Sequence, residues 1–236
     1  MKSILTLCQE VADLAAVKRP ESLFNNTSMS DSIFLSVAIS TLDGLLRYGD
    51  WPELTKEAVL SVNHDCKNYP LETICPDFYA MLANTIYIKD THEKVIGAIN
   101  PQMWMKAKYY FDDNDLVKFK LQNGMIKFLK LPDYPIKIVF QYRSNAVCYD
   151  AKTLEEKSSL SLDSDVPIFD EYLVKLGILW RWAKRSGLDY TEEYAEYERE
   201  IKKKFSVQSA AEDIYLDSSV INPIDQGVRI NVKVIH

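Results

Sequence analysis

The stretch that decides the fold is Pro167-Ile168-Phe169-Asp170-Glu171-Tyr172-Leu173-Val174-Lys175-Leu176-Gly177-Ile178-Leu179-Trp180-Arg181-Trp182-Ala183-Lys184-Arg185-Ser186-Gly187. At 3.6 residues per turn its apolar members, Ile168, Phe169, Tyr172, Leu173, Leu176, Ile178, Leu179, Trp180 and Trp182, fall nearly all round a helix. One core covers one stripe of a helix, so this pattern predicts burial on several sides, part of it in an oligomer. Gly187 closes the helix. A second helix, roughly 190–205, then carries Tyr190, Tyr194, Tyr197, Ile201 and Phe205 on one stripe. Its other face pairs Glu198 with Lys202 and Glu200 with Lys204 at the favourable i, i+4 spacing. Acids come early and Lys202 to Lys204 late, as the helix dipole prefers.

Working outward, the first third is also helical. Ile4, Leu7, Val11 and Leu14 recur at three- and four-residue steps. After a polar loop (21–30) the spacing returns as Ile33 or Phe34, Val37, Thr41 and Leu45, with Asp31 or Ser30 as N-cap. Tyr48-Gly49-Asp50-Trp51-Pro52 ends that helix, with glycine expected in a left-handed exit and proline blocking continuation. From 53 to about 143 the period becomes two. Leu54, Ala58, Leu60 and Val62 alternate imperfectly, Ala80 to Ile88 is strand-like, and Ile136, Ile138, Phe140 and Tyr142 share a face with Lys137 and Gln141 opposite. Asn123-Gly124, between Leu116–Leu121 and Ile126–Leu131, predicts a type I′ hairpin. A short helix is expected from Asn100-Pro101 to Lys106. Beyond 206 lies a polar tail that ends in Val228, Ile230, Val232 and Val234 alternating with Arg229, Asn231 and Lys233, a strand needing a partner to pair with.

Composition narrows the function. The 236 residues are 47% hydrophobic and 26% charged, as in a globular protein. Glycine numbers only 7, well under the roughly 7% of an average chain, which leaves little for glycine-rich phosphate loops; neither dinucleotide nor P-loop motif occurs. The net charge of −6 lacks the basic footprint of a nucleic-acid binder. Six acids against four bases between Asp189 and Lys204 would repel a major groove, which excludes a helix-turn-helix reading. Cys8, Cys66, Cys75 and Cys148 are expected as reduced thiols in a cytosolic compartment. The apolar stretch Ile4–Cys8 is too short for an export signal, the sequons at Asn25 and Asn26 are read as accidental, and no apolar run approaches the ~20 residues of a membrane span.

Nothing in the sequence assembles a catalytic set. His64, His92 and His236 read as turn or terminal histidines. His64, Cys66, Cys75 and His92 lack the short spacing that pre-forms a zinc site. Asp112, Asp113 and Asp115, like Asp163 with Asp165, lack the glycine and distal glutamate of a calcium loop and read as solvated loop charge. The expectation is a protein with no enzyme activity, no metal and no cofactor.

Three segments carry a family resemblance. They are Leu46-Arg47-Tyr48-Gly49-Asp50-Trp51-Pro52-Glu53-Leu54; Cys75-Pro76-Asp77-Phe78-Tyr79 with Thr85–Lys89 and Ile99-Asn100-Pro101-Gln102-Met103-Trp104; and Leu176 to Tyr190 leading into Tyr194-Ala195-Glu196-Tyr197-Glu198. In order and wording these resemble the head-to-tail adaptor (connector) proteins of short-tailed bacteriophages, over roughly residues 31–205. The resemblance implies an α+β fold: a helical bundle of amino- and carboxyl-terminal helices (1–52 and 165–206), an inserted antiparallel β domain (53–164) and an extended C-terminal tail (207–236). It further implies a dodecameric homo-oligomeric ring in the virion neck, assembled in the host cytoplasm, that binds the portal protein and docks tail nozzle or fibre-attachment proteins. Genomic DNA would pass through without sequence-specific binding, and no membrane partner is expected. The subunit or portal interface is then expected at Trp180, Trp182, Tyr190, Tyr194, Tyr197, Val228, Ile230, Val232 and Val234. The competing reading is a stand-alone glycan- or peptide-binding module, such as a tail fibre or receptor-binding component.

Overall fold

A computed structural model describes residues 1–25, 28–109 and 116–218, with 206–218 described as helix backbone only. The order is α1 (Ile4–Leu14), α2 (Met29–Tyr48), β1 (Thr55–Val62), β2 (Asn68–Pro70), α3 (Leu71–Ile74), β3 (Phe78–Met81), β4 (Tyr87–Ile88), α4 (Pro101–Tyr109), β5 (Lys118–Gln122), β6 (Met125–Leu129), β7 (Ile136–Ser144), β8 (Cys148–Tyr149), β9 (Glu156–Lys157), β10 (Val166–Pro167), α5 (Glu171–Arg185) and α6 (Thr191–Ser218). Every pair of named strands is antiparallel. Helices and antiparallel sheets in one chain make an α+β protein.

The deciding stretch is the hub of the helical part. Asp170 caps α5, its Oδ1 accepting the N–H groups of Tyr172 and Leu173 at 3.1 Å each, which satisfies donors a helix start leaves open. Helix α5 packs against α1, α2 and α6, burying Leu173, Val174, Leu176 and Ile178 among Leu7 and Val11, Phe34 and Leu45, and Tyr197 and Ile201. Its all-round apolarity is thus met largely within one chain. The α2 stripe Phe34, Val37, Thr41 and Leu45 is buried as its spacing implied, whereas Leu14 of α1 is exposed. Three local expectations are corrected. Ser28, rather than Asp31 or Ser30, caps α2 through its Oγ, which accepts from the Asp31 N–H at 3.2 Å. Gly49 is extended, at φ −177°, rather than left-handed; a Cβ there would lie 2.7 Å from the Phe205 ring, so the site needs a small residue. And α2, at 20 residues and mean hydropathy 1.3, is long and apolar enough to cross a membrane, although no such run was expected; the stripe from Phe34 to Leu46 supplies a face buried here in the core.

Helix α6 also outruns its expected end near 205. Residues 207–218, placed in an extended tail, are helical to Ser218. Ser206 to Ser218 holds neither glycine nor proline and includes Ala210-Ala211-Glu212, so nothing stops propagation. The terminal strand expected at 228–235 lies outside the described residues.

The β part has its own core. β7 is central, with β1 along one side and β3 and β4 sharing the other. Ile136, Ile138, Phe140 and Tyr142 point inward beside Ala58, Leu60 and Val62, which β1 contributes by the same alternation. The expected run Ala80–Ile88 is two short strands, because Asn84 takes φ +61° in a turn between them. A second sheet has the order β2-β6-β5. Its hairpin turns at Asn123 (φ +54°) and Gly124 (φ +68°), the pair of left-handed residues a type I′ turn requires. The short helix appears as α4, with Asn100 Oδ1 accepting from Met103 N–H at 2.8 Å.

Ala146, Val147, Cys148 and Leu160 fall within the 53–164 segment yet pack in the helical core, carried there by the small β10-β8-β9 sheet that leads into α5. In the same region Asp163 and Asp165 are not solvated charge. Asp165 is fully buried; its carboxylate takes Lys157 Nζ at 2.7 and 2.8 Å and the N–H groups of Ser161 and Leu162 at 2.7 and 2.9 Å. Asp163 accepts from Ser22 Oγ and the Leu23 N–H at 2.5 and 2.7 Å, tying the loop after α1 to the carboxyl-terminal half.

Candidate functional site

The residues expected at an interface converge where α5 meets α6. Half-buried Trp180 sits among Tyr190, Tyr194 and Tyr197, with ring centroids at 6.1, 5.1 and 6.0 Å. The Arg181 guanidinium lies 4.3 Å from the Trp180 centroid and 5.5 Å from that of Tyr197, and Lys184 reaches Trp180 and Tyr190 at 5.8 and 5.7 Å. Cations over electron-rich ring faces attract by about 0.5–1 kcal/mol each when exposed and more when desolvated. The Trp180 indole N–H is buried with no acceptor among the described residues. Trp182 points to the other side of α5 and stacks on Phe34 of α2 at 6.2 Å and 13°. The structure therefore gathers Trp180, Tyr190, Tyr194 and Tyr197 into one cluster and separates Trp182 from it. Val228, Ile230, Val232 and Val234 lie outside the described residues.

Arg181 went unnoticed in the sequence, though it is the keystone of the cluster. Its Nη1 also donates to Gly177 O at 3.1 Å, so one side chain joins the α5 backbone to two aromatic rings. An arginine four residues after a helical glycine, flanked by Trp180 and Trp182, was the available signal. Within the cluster Tyr194 is exposed, as are Tyr172 in the first turn of α5 and Leu188 after its end. Tyr172 and Tyr194 hydroxyls donate to Glu196 and Glu198, an arrangement of aromatic bodies with polar tips that suits a surface wet at one end and dry at the other.

A polar network marks the β part. Lys56 Nζ bonds Asp77 and Glu156 at 2.6 Å each, and the Tyr142 hydroxyl donates to Asp77 at 2.8 Å. Burial alone would raise the Asp77 carboxyl, but hydrogen bonds from Lys56, Tyr142 and Ser144, with the Lys56 charge, hold it below the ordinary range. Such a carboxylate is a fixed anion rather than a proton shuttle. Burial pushes the Cys8 thiol up to about 12, helped by the Asp163 charge, and Cys148 up to about 11, so neither supplies a thiolate near neutral pH. His64 Nδ1 lies 3.3 Å from Leu131 O and 3.4 Å from Asp133, and His92 occupies a turn at φ +59°. Among the described residues no group of three or more His, Cys, Asp or Glu side chains could hold a metal ion. Asp112, Asp113, Asp115 and His236 lie outside the described residues.

Two further surfaces are open. Helix α4 buries none of its residues, and Met103, Met105 and Tyr109 are exposed beside Lys106 and Lys108. Strand β1 pairs with β7 along its whole length and, among the described residues, forms the outer edge of its sheet. No model of a known protein family matches the chain, and no curated protein matches it either.

Proposed function

We propose that this chain is a non-enzymatic, ring-forming head-to-tail adaptor of the short-tailed phage type, acting below the portal as an extension of the DNA channel and a platform for tail proteins. The observation that carries the reading is the segment from Leu176 to Glu198, where the resemblance is strongest. It folds as one helical hairpin locked by Trp180, Arg181 and three tyrosines. That hairpin belongs to a helical core distinct from the buried cluster of the β part, which favours a helical bundle carrying an inserted antiparallel domain. The cluster then acts as the rigid element of each subunit, and the exposed side chains of Tyr172, Leu188 and Tyr194 on the same hairpin serve as contact surface toward a neighbour. A net charge of −6 suits a wall along which DNA slides without being held, because acidic groups offer phosphates no counterion to displace.

The test is the particle mass of the purified protein, alone and mixed with a portal ring of a short-tailed phage. A mass of many subunits, or co-sedimentation with the portal in a fixed ratio, is expected. A monomer under both conditions would overturn the reading and favour the stand-alone glycan- or peptide-binding module.

A further inference from the structure

β1 is an edge whose own sequence guards it with charge only at its start, at Lys56 and Glu57. Soluble proteins protect edge strands with bulges, prolines, central charges or short length. β1 has eight residues in unbroken register with β7, from Thr55 opposite Arg143 to Val62 opposite Ile136, and it contains no proline. Its one lysine, Lys56, is drawn aside to Asp77 and Glu156. The central residues Ala58-Val59-Leu60 carry no charge, and Val59 is 46% exposed. From Lys56 to Val62 the backbone hydrogen bonds of β1 to other described residues go to β7, so among the described residues the opposite row of N–H and C=O groups has no partner. The other flank of β7 is shared by β3 and β4, of four and two residues.

The chain also contains a segment with complementary chemistry. Val228, Ile230, Val232 and Val234 alternate with Arg229, Asn231 and Lys233, the same period as β1 over seven residues against its eight. Laid beside β1, its valines and isoleucine would continue the buried face of Ala58, Leu60 and Val62, while Arg229 and Lys233 would lie on the outer face with Glu57 and Ser61. Nine residues separate Ser218 at the end of α6 from Val228, a tether of at most about 35 Å. A donor segment and a different acceptor edge on every subunit form a heterologous pair, the kind of contact that closes into a ring.

We infer that the open edge of β1 is filled by residues 228–235 of a neighbouring copy of this chain, adding a strand to the β1-β7 sheet. The inference rests on the ring reading above and names its inter-subunit contact. In a Cys66→Ser background, chains carrying Val59→Cys are mixed with chains carrying Arg229→Cys, Asn231→Cys or Lys233→Cys and oxidised. At least one mixture is expected to give a covalent dimer, and both deletion of 219–236 and the double change Ile230→Asp with Val232→Asp are expected to lose the oligomer while the chain stays folded. A cross-link formed only within a single doubly substituted chain overturns the inference, since the segment then closes its own edge. Undiminished oligomer mass in both tail variants overturns it too and leaves the adaptor reading standing. A wild-type protein that is monomeric alone and with the portal removes the adaptor reading itself.

Discussion

At Asp77 the environment reverses what burial would do. The carboxyl is held below its unfolded value by hydrogen bonds and by Lys56, so folding favours its ionised form. That contribution is fully present above about pH 4, the unfolded carboxylate value, and disappears as pH falls through the lower folded value. Asp77→Asn keeps an acceptor for Tyr142 but has no charge to titrate. Urea midpoints measured from neutral pH downward should therefore fall less steeply below about pH 4 in the variant than in the parent; superimposable acid limbs would show that the linkage lies elsewhere. Asp163 and Asp165 teach the complementary point about legibility. Their loop looks polar and solvated because the groups that bury them, Ser22, Leu23 and Lys157, are named by no local pattern.

Among elements, the crossing of α2 with α5 depends on Gly177. A Cβ there would lie 2.4 Å from Thr41 Cγ2 and 3.1 Å from Tyr197 Cε2, and Thr41 is pinned by its own hydroxyl bond to Val37 O at 2.7 Å. Gly177→Ala gains about 1 kcal/mol of helix propensity and incurs about 1–3 kcal/mol of overpacking, so a net loss of up to about 2 kcal/mol is expected in a thermal melt. Gly44→Ala meets only the far end of Arg181, at 2.6 Å, so the guanidinium has to shift on its ring contacts while the backbone stays in place, and a smaller loss than at Gly177 is expected. Equal melts for the two variants would refute the close-approach account. Close packing at these two helical glycines was legible from their position inside periodic stretches. The need for a side chain no larger than hydrogen at Gly49 was not, because the ring that crowds it, Phe205, is more than 150 residues away in the chain.

For the whole molecule the separate helical and β clusters predict unequal responses to a core change. Phe140 is fully buried in the β cluster, and Phe140→Ala should cost that part about 3–5 kcal/mol. Trp51, Trp180 and Trp182 pack in the helical cluster, whereas Trp104 stands in α4 over Lys120 of β5 at 4.5 Å, so in a Trp104→Phe background the tryptophan fluorescence transition should stay near its parent midpoint while the circular-dichroism transition broadens toward lower denaturant. Coincident shifts of both signals would mean one cooperative unit. The amino-acid order by itself determined α1, α2, α4, α5 and the start of α6, the inward faces of α2, β1 and β7, and the Asn123-Gly124 hairpin, because periodicity and turn chemistry act over a few residues. Only the tertiary structure decided that α5 is covered on three sides within one chain, that Arg181 joins the aromatic rings, that Asp165 is buried, and that β1 is left with an edge that no described residue pairs. Each of those depends on which distant surfaces meet, and contact between surfaces is a property that local spacing does not encode.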